Sequence, residues 1–400
     1  MAITRIPKGI FIVAAKRTPF GTFGGKLKNL TPTQLQEVAV KAAMKAGRIN
    51  ADWVSFTVIG NAGQTASDSA YISRHIGIKA GIPITSPGLT VNRLCGSGFQ
   101  SIITASQGLS LGENEVVITG GAENMSMAPH AVRGFRFGVK YGVHPVLEDT
   151  LWTLLTDSYI NKPMGVTAEN LAEKYGITRE QADEYAVLSQ KRWKAAFDAG
   201  YFKKEIEPVT IKTKKGKEEL MDVDEHPKPN TTLESIASLP SVFKKNGTVT
   251  AANASGIGDG ASCVILATED ACVKYNIKPL ARMVGYSIVG CDPHLMGIGP
   301  VTAIEHLMKK TNRKLYEMDL IEINEAFASQ YLAVEKHLKL NREKTNVNGG
   351  AIAMGHPVGA SGNRIIGHLV HHLRFLKAKY GLGAACIGGG QGIAMLVEAV

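Results

Sequence analysis

The segment Phe99–Leu111, FQSIITASQGLSL, is apolar nearly all round, so a helix there has no face to offer water and must be buried on every side. Burying it takes a large surrounding structure. The chain has 400 residues, 44% of them hydrophobic, enough for two or three domains with sizeable cores. Short β-rich apolar runs alternate with helical periods around the buried segment. Strands are expected at Ile10–Ala15, Val54–Ile59, Leu89–Val91 and Glu115–Thr119. Thr31-Pro32 reads as an N-cap followed by proline at the first helical position, opening a helix that stops near Gly47. The pattern is that of an α/β layer with a mostly parallel sheet.

The style changes near residue 125. From there to residue 252 the chain is loop-rich and polar, and reads as an inserted loop or lid domain. It still holds helices: Thr178 and Gln181 form a T-x-x-Q capping box. Alternation then resumes, with strands expected at Ala281–Val289, Leu320–Ile323, Ala384–Ile387 and Ala394–Val400. Helices are expected at Ala303–Lys310, Phe327–His337 and Ile365–Lys379. The domain reading is a first half of residues 1–124 plus 253–278, a loop domain over 125–252, and a second half over 279–400. The halves share a weak internal likeness, LCGSGFQSI answering ACIGGGQGIA, as duplicated halves would.

A formal charge of +10 fits nucleic acid, membrane surfaces or phosphorylated small molecules. The charges are mixed, however: residues 201–250 carry nine lysines and eight acids, so KTKKGKEE reads as a solvated hairpin or loop. With 6% aromatic residues and no basic-aromatic ladder, nucleic-acid binding is set aside. Five cysteines without paired spacing argue against a disulfide scaffold and for a reducing compartment. His368, His371 and His372 read as a helix face rather than a metal site, and no metal is expected. No apolar run reaches membrane-spanning length, and GIFIVAAKRTPFG reads as a buried first strand rather than a signal peptide.

The chemistry candidates sit in glycine-rich settings. Cys95, in VNRLCGSGF, falls on a tight corner before the buried helix, where glycine lets backbone and ligand approach. A cysteine attacks as its thiolate, so Cys95 needs a helix N-terminus and a base to help it. Asn324 and Glu325 follow a strand in IEINEAFA. His356 lies in the loop NVNGGAIAMGHPVGASG, and Cys386 precedes three glycines in ACIGGGQG. Glycine turns expose N–H groups that can hold an oxyanion. These are the parts of acyl transfer from a thioester. Cys263, Cys272 and Cys291 read as structural. No GxGxxG or P-loop pattern links a strand to a helix.

Taken together, NRLCGSGFQSI, NEAFA, NVNGGAIAMGHPVGASG and CIGGGQG resemble the thiolase family, and above all its degradative 3-ketoacyl-CoA branch. The resemblance spans the chain through VAAKRTPFG, GGAENMS, GVTAENLAEKYG, NASGIGDGA and CDPHLMGIGP. It implies a thiolase fold of class α/β: two similar halves in a five-layer αβαβα arrangement with an inserted loop domain, assembled as a homodimer or homotetramer. It implies that Cys95 carries the acyl group, that His356 activates it, and that Cys386 protonates or deprotonates the acetyl-CoA carbon. Asn324, through a water, joins His356 in one oxyanion hole, and the N–H groups of Cys95 and Gly388 form the other. Coenzyme A, a substrate and not a resident cofactor, would contact Lys228, Thr231, Ser255, Met164 and Phe327. The implied reaction is thiolysis of 3-ketoacyl-CoA in fatty acid β-oxidation.

Two positions depart from relatives. Lys228 stands where many have arginine, trading a bidentate phosphate grip for a point charge. Pro163 precedes Met164, where acetoacetyl-specific members carry histidine. The rival readings are a biosynthetic acetoacetyl-CoA thiolase and, in a different class, a non-catalytic acyl-CoA-binding protein, which would need none of the four polar groups. A ketoacyl synthase would pair its cysteine with two histidines. The basic, acid-free start MAITRIPKGIFIVAAKR permits a mitochondrial matrix address, with peroxisome and cytosol as the alternatives.

Overall fold

The computed structural model describes residues 9–213 and 216–400. Its first half runs β1 (Ile10–Arg17), α1 (Pro32–Gly47), β2 (Val54–Gly60), α2 (Ile72–Lys79), β3 (Gly88–Val91), α3 (Ser97–Ser110) and β4 (Val116–Asn124). The following segment contributes α4 (Met164–Tyr175) and α5 (Arg179–Asp198), and the chain returns as β5 (Gly258–Thr268). The second half runs β6 (Ala281–Gly290), α6 (Gly299–Thr311), β7 (Leu320–Ile323), α7 (Ala328–Leu338), α8 (Ser361–Leu376), β8 (Tyr380–Ile387) and β9 (Gln391–Ala399).

The strands lie in the order β3-β2-β4-β5-β1 and then β6-β9-β8-β7. The two sets meet at Phe11–Arg282 and Ile12–Ala281. Each set repeats one succession from its β1 or β6 end: two antiparallel neighbours, then a parallel one. The sheet is therefore mixed, not mostly parallel. Apolar runs show that a strand is covered on both faces, and that is equally true of antiparallel strands sealed between helix layers.

Five layers result. Helices α1 and α2 cover the outer face of the first set of strands, and α6, with α7 beside it, covers that of the second. Between them lie α3 and α8, each packed on strands of both sets. The all-round apolar segment is thus a central helix, in a core of Phe99, Ile102 and Ile103 with Ile365, Ile366 and Leu369. The expected helix starts hold: Thr31 and Thr178 both close capping boxes, with Gln34 and Gln181, and Pro32 follows the first cap. The inserted segment shares a core with the second half. Leu171, Tyr185 and Ala186 pack with Ile304, Ile323 and Tyr331.

Buried charges tie these parts together. Arg17 on β1 bonds Glu205 at 2.8 Å and Asp224 at 2.6 Å, both from the inserted segment. Glu205 also meets His368 of α8 at 2.7 Å. His368 therefore answers to an acid far off in sequence, and His372 stacks beside it. Breaking such a buried pair typically costs about 3–5 kcal/mol. In KTKKGKEE, Lys214 and Lys215 lie outside the described residues. Val209–Lys212 and Glu218–Met221 on either side pair antiparallel.

The internal likeness needs correction. LCGSG enters a central helix from the edge strand β3, whereas CIGGGQG is a hairpin: Ile387 pairs with Gln391, and Gly389 and Gly390 take φ of +81° and +78°. The positions that answer each other are the openings of α3 and α8, each a Ser-Gly step, Ser97-Gly98 and Ser361-Gly362. A Cβ on Gly98 would lie 2.7 Å from Asn363 N, so only glycine admits this approach. Strand β4 also runs past the expected Thr119, through Gly120 and Gly121. Glycines weaken a strand reading, but here Gly121 makes room for the backbone of Gly359.

Candidate active site

The corner that carries Cys95 is strained and pinned. Leu94 takes φ of +47°, a left-handed conformation that costs a branched side chain energy and persists only where neighbours hold it. Asn92 Oδ1 accepts from Leu94 N at 3.0 Å. Ser97 Oγ accepts from Arg93 N at 2.9 Å and donates to Leu94 O at 2.7 Å. The Arg93 guanidinium donates to Gln391 Oε1 at 2.8 Å, reaching the second half. Gly96 leaves space for Ile387, whose Cδ1 would lie 2.5 Å from a Cβ there. The β8–β9 hairpin is thereby pressed against the turn, and Gly388 arrives beside Cys95.

Cys95 is half-buried. Burial pushes its thiol up to about 11, while the backbone N–H groups of Gly388 and of Cys95 itself favour the thiolate. His356 is buried too, and burial lowers it to about 4, so the imidazole is neutral at pH 7. Its Nδ1 lies 2.5 Å from Ser361 Oγ, and that hydroxyl donates to Pro357 O at 3.0 Å. With the hydroxyl proton committed, Nδ1 carries the imidazole proton and Nε2 presents its lone pair. Nε2 faces Asn324 Nδ2 at 3.3 Å, and among the described residues Asn324 Oδ1 has no hydrogen-bond partner.

Cys386 is fully buried, packed with Met296 and Ala326 against Met164 and Phe327. Its thiol stands well above the ordinary value, through burial first and then the nearby Cys95 and Cys291. Cys95 packs instead toward Met125, Leu151, Val358 and Leu155. All of these walls except Met296, Ala326 and the cysteines line one cavity of about 480 Å³, which His356 and Pro163 also line. His356 therefore opens onto a mostly apolar cleft, and the two cysteines, near each other, pack behind residues that line it.

Of the five residues expected to touch coenzyme A, Met164, Ser255 and Phe327 line this cavity. Lys228 and Thr231 do not. Lys228 N donates to Gln190 Oε1 at 2.8 Å, and Thr231 Oγ1 donates to Lys228 O at 2.7 Å, in the exposed stretch leading away from His226. His226 itself stands beside Gly256 of the cavity wall. Three residues were not read from sequence as parts of the site. Ser361 sets the imidazole. Phe243, with Phe327 edge-on at 6.5 Å, closes the wall. Glu123 joins Ala62 and Gly63 to Gly359 through its carboxylate. Ser361 was legible only as half of the Ser-Gly step, and an acid inside an apolar strand end, as in GGAENMS, was the one signal for Glu123. Glu325 holds the histidine loop: its carboxylate accepts from Tyr185, Ser189 and Ile352 N at 2.7, 2.7 and 3.1 Å.

A floor of this kind can take an acyl group onto sulfur and manage a proton at the adjoining carbon, the work of a thiol-dependent acyltransferase. Comparison with known proteins gives the family. Residues 10–270 match "Thiolase, N-terminal domain" and residues 277–399 match "Thiolase, C-terminal domain". The chain belongs to the thiolase family. It is 59% identical to the bovine "3-ketoacyl-CoA thiolase, mitochondrial" and 58% identical to the human one, in each case over 98% of both chains. The fold matches a crystal structure of human mitochondrial 3-ketoacyl-CoA thiolase with a TM-score of 0.97 at 57% identity, over 98% of this chain and 99% of that one. A crystal structure of that human enzyme in complex with CoA matches with a TM-score of 0.96 at 56% identity, over 98% of each chain.

Ser361→Ala removes the hydroxyl that fixes the His356 proton on Nδ1. The expected result is a folded protein whose kcat falls by about tenfold or more, a fraction of the usual general-base contribution. Steady-state kinetics beside a thermal melt checks it. An unchanged kcat would show that the imidazole keeps its tautomer without Ser361.

Proposed function

We propose that this chain catalyses thiolytic cleavage of 3-ketoacyl-CoA by CoA, giving acetyl-CoA and an acyl-CoA shortened by two carbons, in mitochondrial fatty acid β-oxidation. The observation that supports the reading is that neutral His356 lines one apolar cavity while Cys95 and Cys386, near each other, pack against residues of its wall. His356 Nε2 takes the Cys95 proton, and the thiolate attacks the 3-keto carbon. The C2–C3 bond then breaks, its electron pair leaving on the acetyl-CoA carbon, and Cys386 supplies the proton that turns that carbon into a methyl group. In the second half-reaction the incoming CoA thiol gives its proton to the Cys386 thiolate and attacks the acyl-Cys95 thioester. Cys95 departs and recovers its proton from His356, so all protons return.

Each negative charge has a place to go. The N–H groups of Cys95 and Gly388, already against the Cys95 sulfur, suit the oxyanion formed on that carbon. Asn324, beside His356 Nε2 and with Oδ1 unengaged among the described residues, suits the enolate oxygen through a water. Met164, Ser255 and Phe327 along the cavity wall suit the pantetheine arm of CoA; Lys228 and Thr231, outside that lining, are proposed for its nucleotide end. A non-catalytic acyl-CoA binder would need neither a second buried thiol nor a tautomer-fixed imidazole.

We also propose a homodimer or homotetramer. Strand β3 ends the sheet with Leu89 exposed, and residues 132–147 expose Phe135, Phe137, Tyr141, Val146 and Leu147 to solvent. Light scattering should return two or four times the 42.8 kDa chain mass; a monomer at micromolar concentration would refute it.

The division of labour between the two proton carriers is tested by mass. Cys386→Ser should still acquire an acetyl group on the Cys95 peptide from acetyl-CoA but should lose carbon–carbon cleavage, whereas His356→Ala should slow both half-reactions by about 10²–10³. Loss of acylation in the cysteine variant with retention in the histidine variant would reverse the assignment.

Substrate length follows from the wall. Pro163, Leu151 and Leu155 give it an apolar lining, without the histidine of acetoacetyl-specific relatives. Each methylene buried there gains up to ~0.8 kcal/mol, roughly fourfold in affinity. The expected kcat/KM therefore rises from four-carbon to medium-chain 3-ketoacyl-CoA and then levels or falls. A steep drop beyond four carbons would instead identify an acetoacetyl-CoA thiolase.

A further inference from the structure

We propose that Glu123 is a positioning residue of this reaction, holding the turn that carries Cys95 and the loop that carries His356 at a fixed separation through one buried carboxylate. The proposal rests on the thiolase reading of the site and adds to it a residue that touches no reacting atom.

Glu123 is fully buried at the end of β4. Its two oxygens accept four N–H groups from two separate segments. Oε1 takes Asn61 Nδ2 at 3.1 Å and Gly63 N at 2.9 Å. Oε2 takes Ala62 N at 3.0 Å and Gly359 N at 3.0 Å. The first three donors belong to the loop after β2, and the fourth belongs to the loop that enters α8.

From the carboxylate, bonded contacts run both ways. Toward the nucleophile, Ala62 O accepts from Asn92 Nδ2 at 3.1 Å, and Asn92 Oδ1 caps Leu94 N, the strained residue before Cys95. Toward the base, Gly359 lies within the Pro357–Ser361 turn, whose closing hydroxyl orients His356. One side chain thus stands at the middle of a chain of contacts that ends on the two groups that must exchange a proton.

Electrostatic activation does not account for this placement. Among the described residues no lysine, arginine or histidine pairs with Glu123, so the buried group is held by N–H donors alone, donors that an apolar residue would leave unpaired. Burial pushes its carboxyl up to about 7, with Asp259 adding to the effect. Its charge also raises the Cys95 thiol, which opposes activation of the nucleophile. What the carboxylate uniquely supplies is two oxygens, each directed at two donors. Glutamine keeps the shape but offers one acceptor oxygen and turns an NH₂ toward N–H groups.

The test compares Glu123→Gln with the parent enzyme. The expected kcat falls by about 10²-fold, the scale of a one-ångström misplacement, with KM for CoA and for 3-ketoacyl-CoA within threefold. Alkylation of Cys95 by iodoacetamide should slow with it, because His356 no longer meets the sulfur, whereas removal of the negative charge alone would quicken it. A folded variant with kcat within threefold of the parent, one whose alkylation quickens, or one whose kcat loss is matched by higher KM, would overturn the proposal. If Glu123→Gln fails to fold, Asn92→Ala cuts the same chain of contacts without touching the buried charge. It should show the same loss of kcat at constant KM, and a parental kcat there would equally overturn it. Acylation of the parent enzyme at Cys95, read by mass, keeps the outcome separate from the underlying reading. If the parent does not acylate there, it is the thiolase assignment of Cys95 that fails.

Discussion

Everything at the site depends on how closely the two central helices meet. Gly98 near the start of α3 and Gly362 near the start of α8 bring their backbones together at a distance no side chain would permit. Cys95 lies three residues before the first glycine and His356 six before the second. The same contact that closes the middle layer therefore brings the Cys95 turn and the His356 loop into one region. Because both helices also pack on both sets of strands, neither can slide without disturbing the whole central core.

Within that frame the electrostatics are those of a resting neutral pair. Burial raises the Cys95 thiol and lowers the His356 imidazole, so proton transfer between them is unfavourable at rest. On the proposed reading, an acyl-CoA in the cleft would place its electrophilic carbon beside the N–H groups of Cys95 and Gly388. A thiolate kept permanently at this position would be exposed to oxidation and to adventitious electrophiles. The neutral resting state, imposed by burial, limits both.

The layer architecture was legible because buried elements leave strong traces. The all-round apolar Phe99–Leu111 predicted a sealed helix, and the capping threonines Thr31 and Thr178 marked real starts. Strand direction was not legible: β5 is buried at every position, as a strand of either polarity would be between two helix layers. Glycines in β4 hid its last five residues, since their purpose, admitting Gly359, comes from a segment more than two hundred residues away. The motif residues Cys95, Asn324, His356 and Cys386 stood out because polar groups in glycine-rich apolar settings are rare. Ser361 and Glu123 were obscured because their meaning is entirely in what they contact, and those contacts are long-range. The likeness between LCGSG and CIGGGQG was composition without equivalence, since glycine serves a helix entry in one and a hairpin in the other.

The placement of the two cysteines also gives the cleft a direction. Cys95 packs toward Met125, Leu151 and Leu155, and Cys386 toward Met164 and Phe327. On the proposed reading, an acyl group carried on Cys95 meets Met125, Leu151 and Leu155, and the two-carbon unit served by Cys386 meets Met164 and Phe327. Pro163 lines the same cavity as both groups of residues. A change of lining residue there would alter the room left to the acyl tail without touching the proton carriers that both halves of the reaction share.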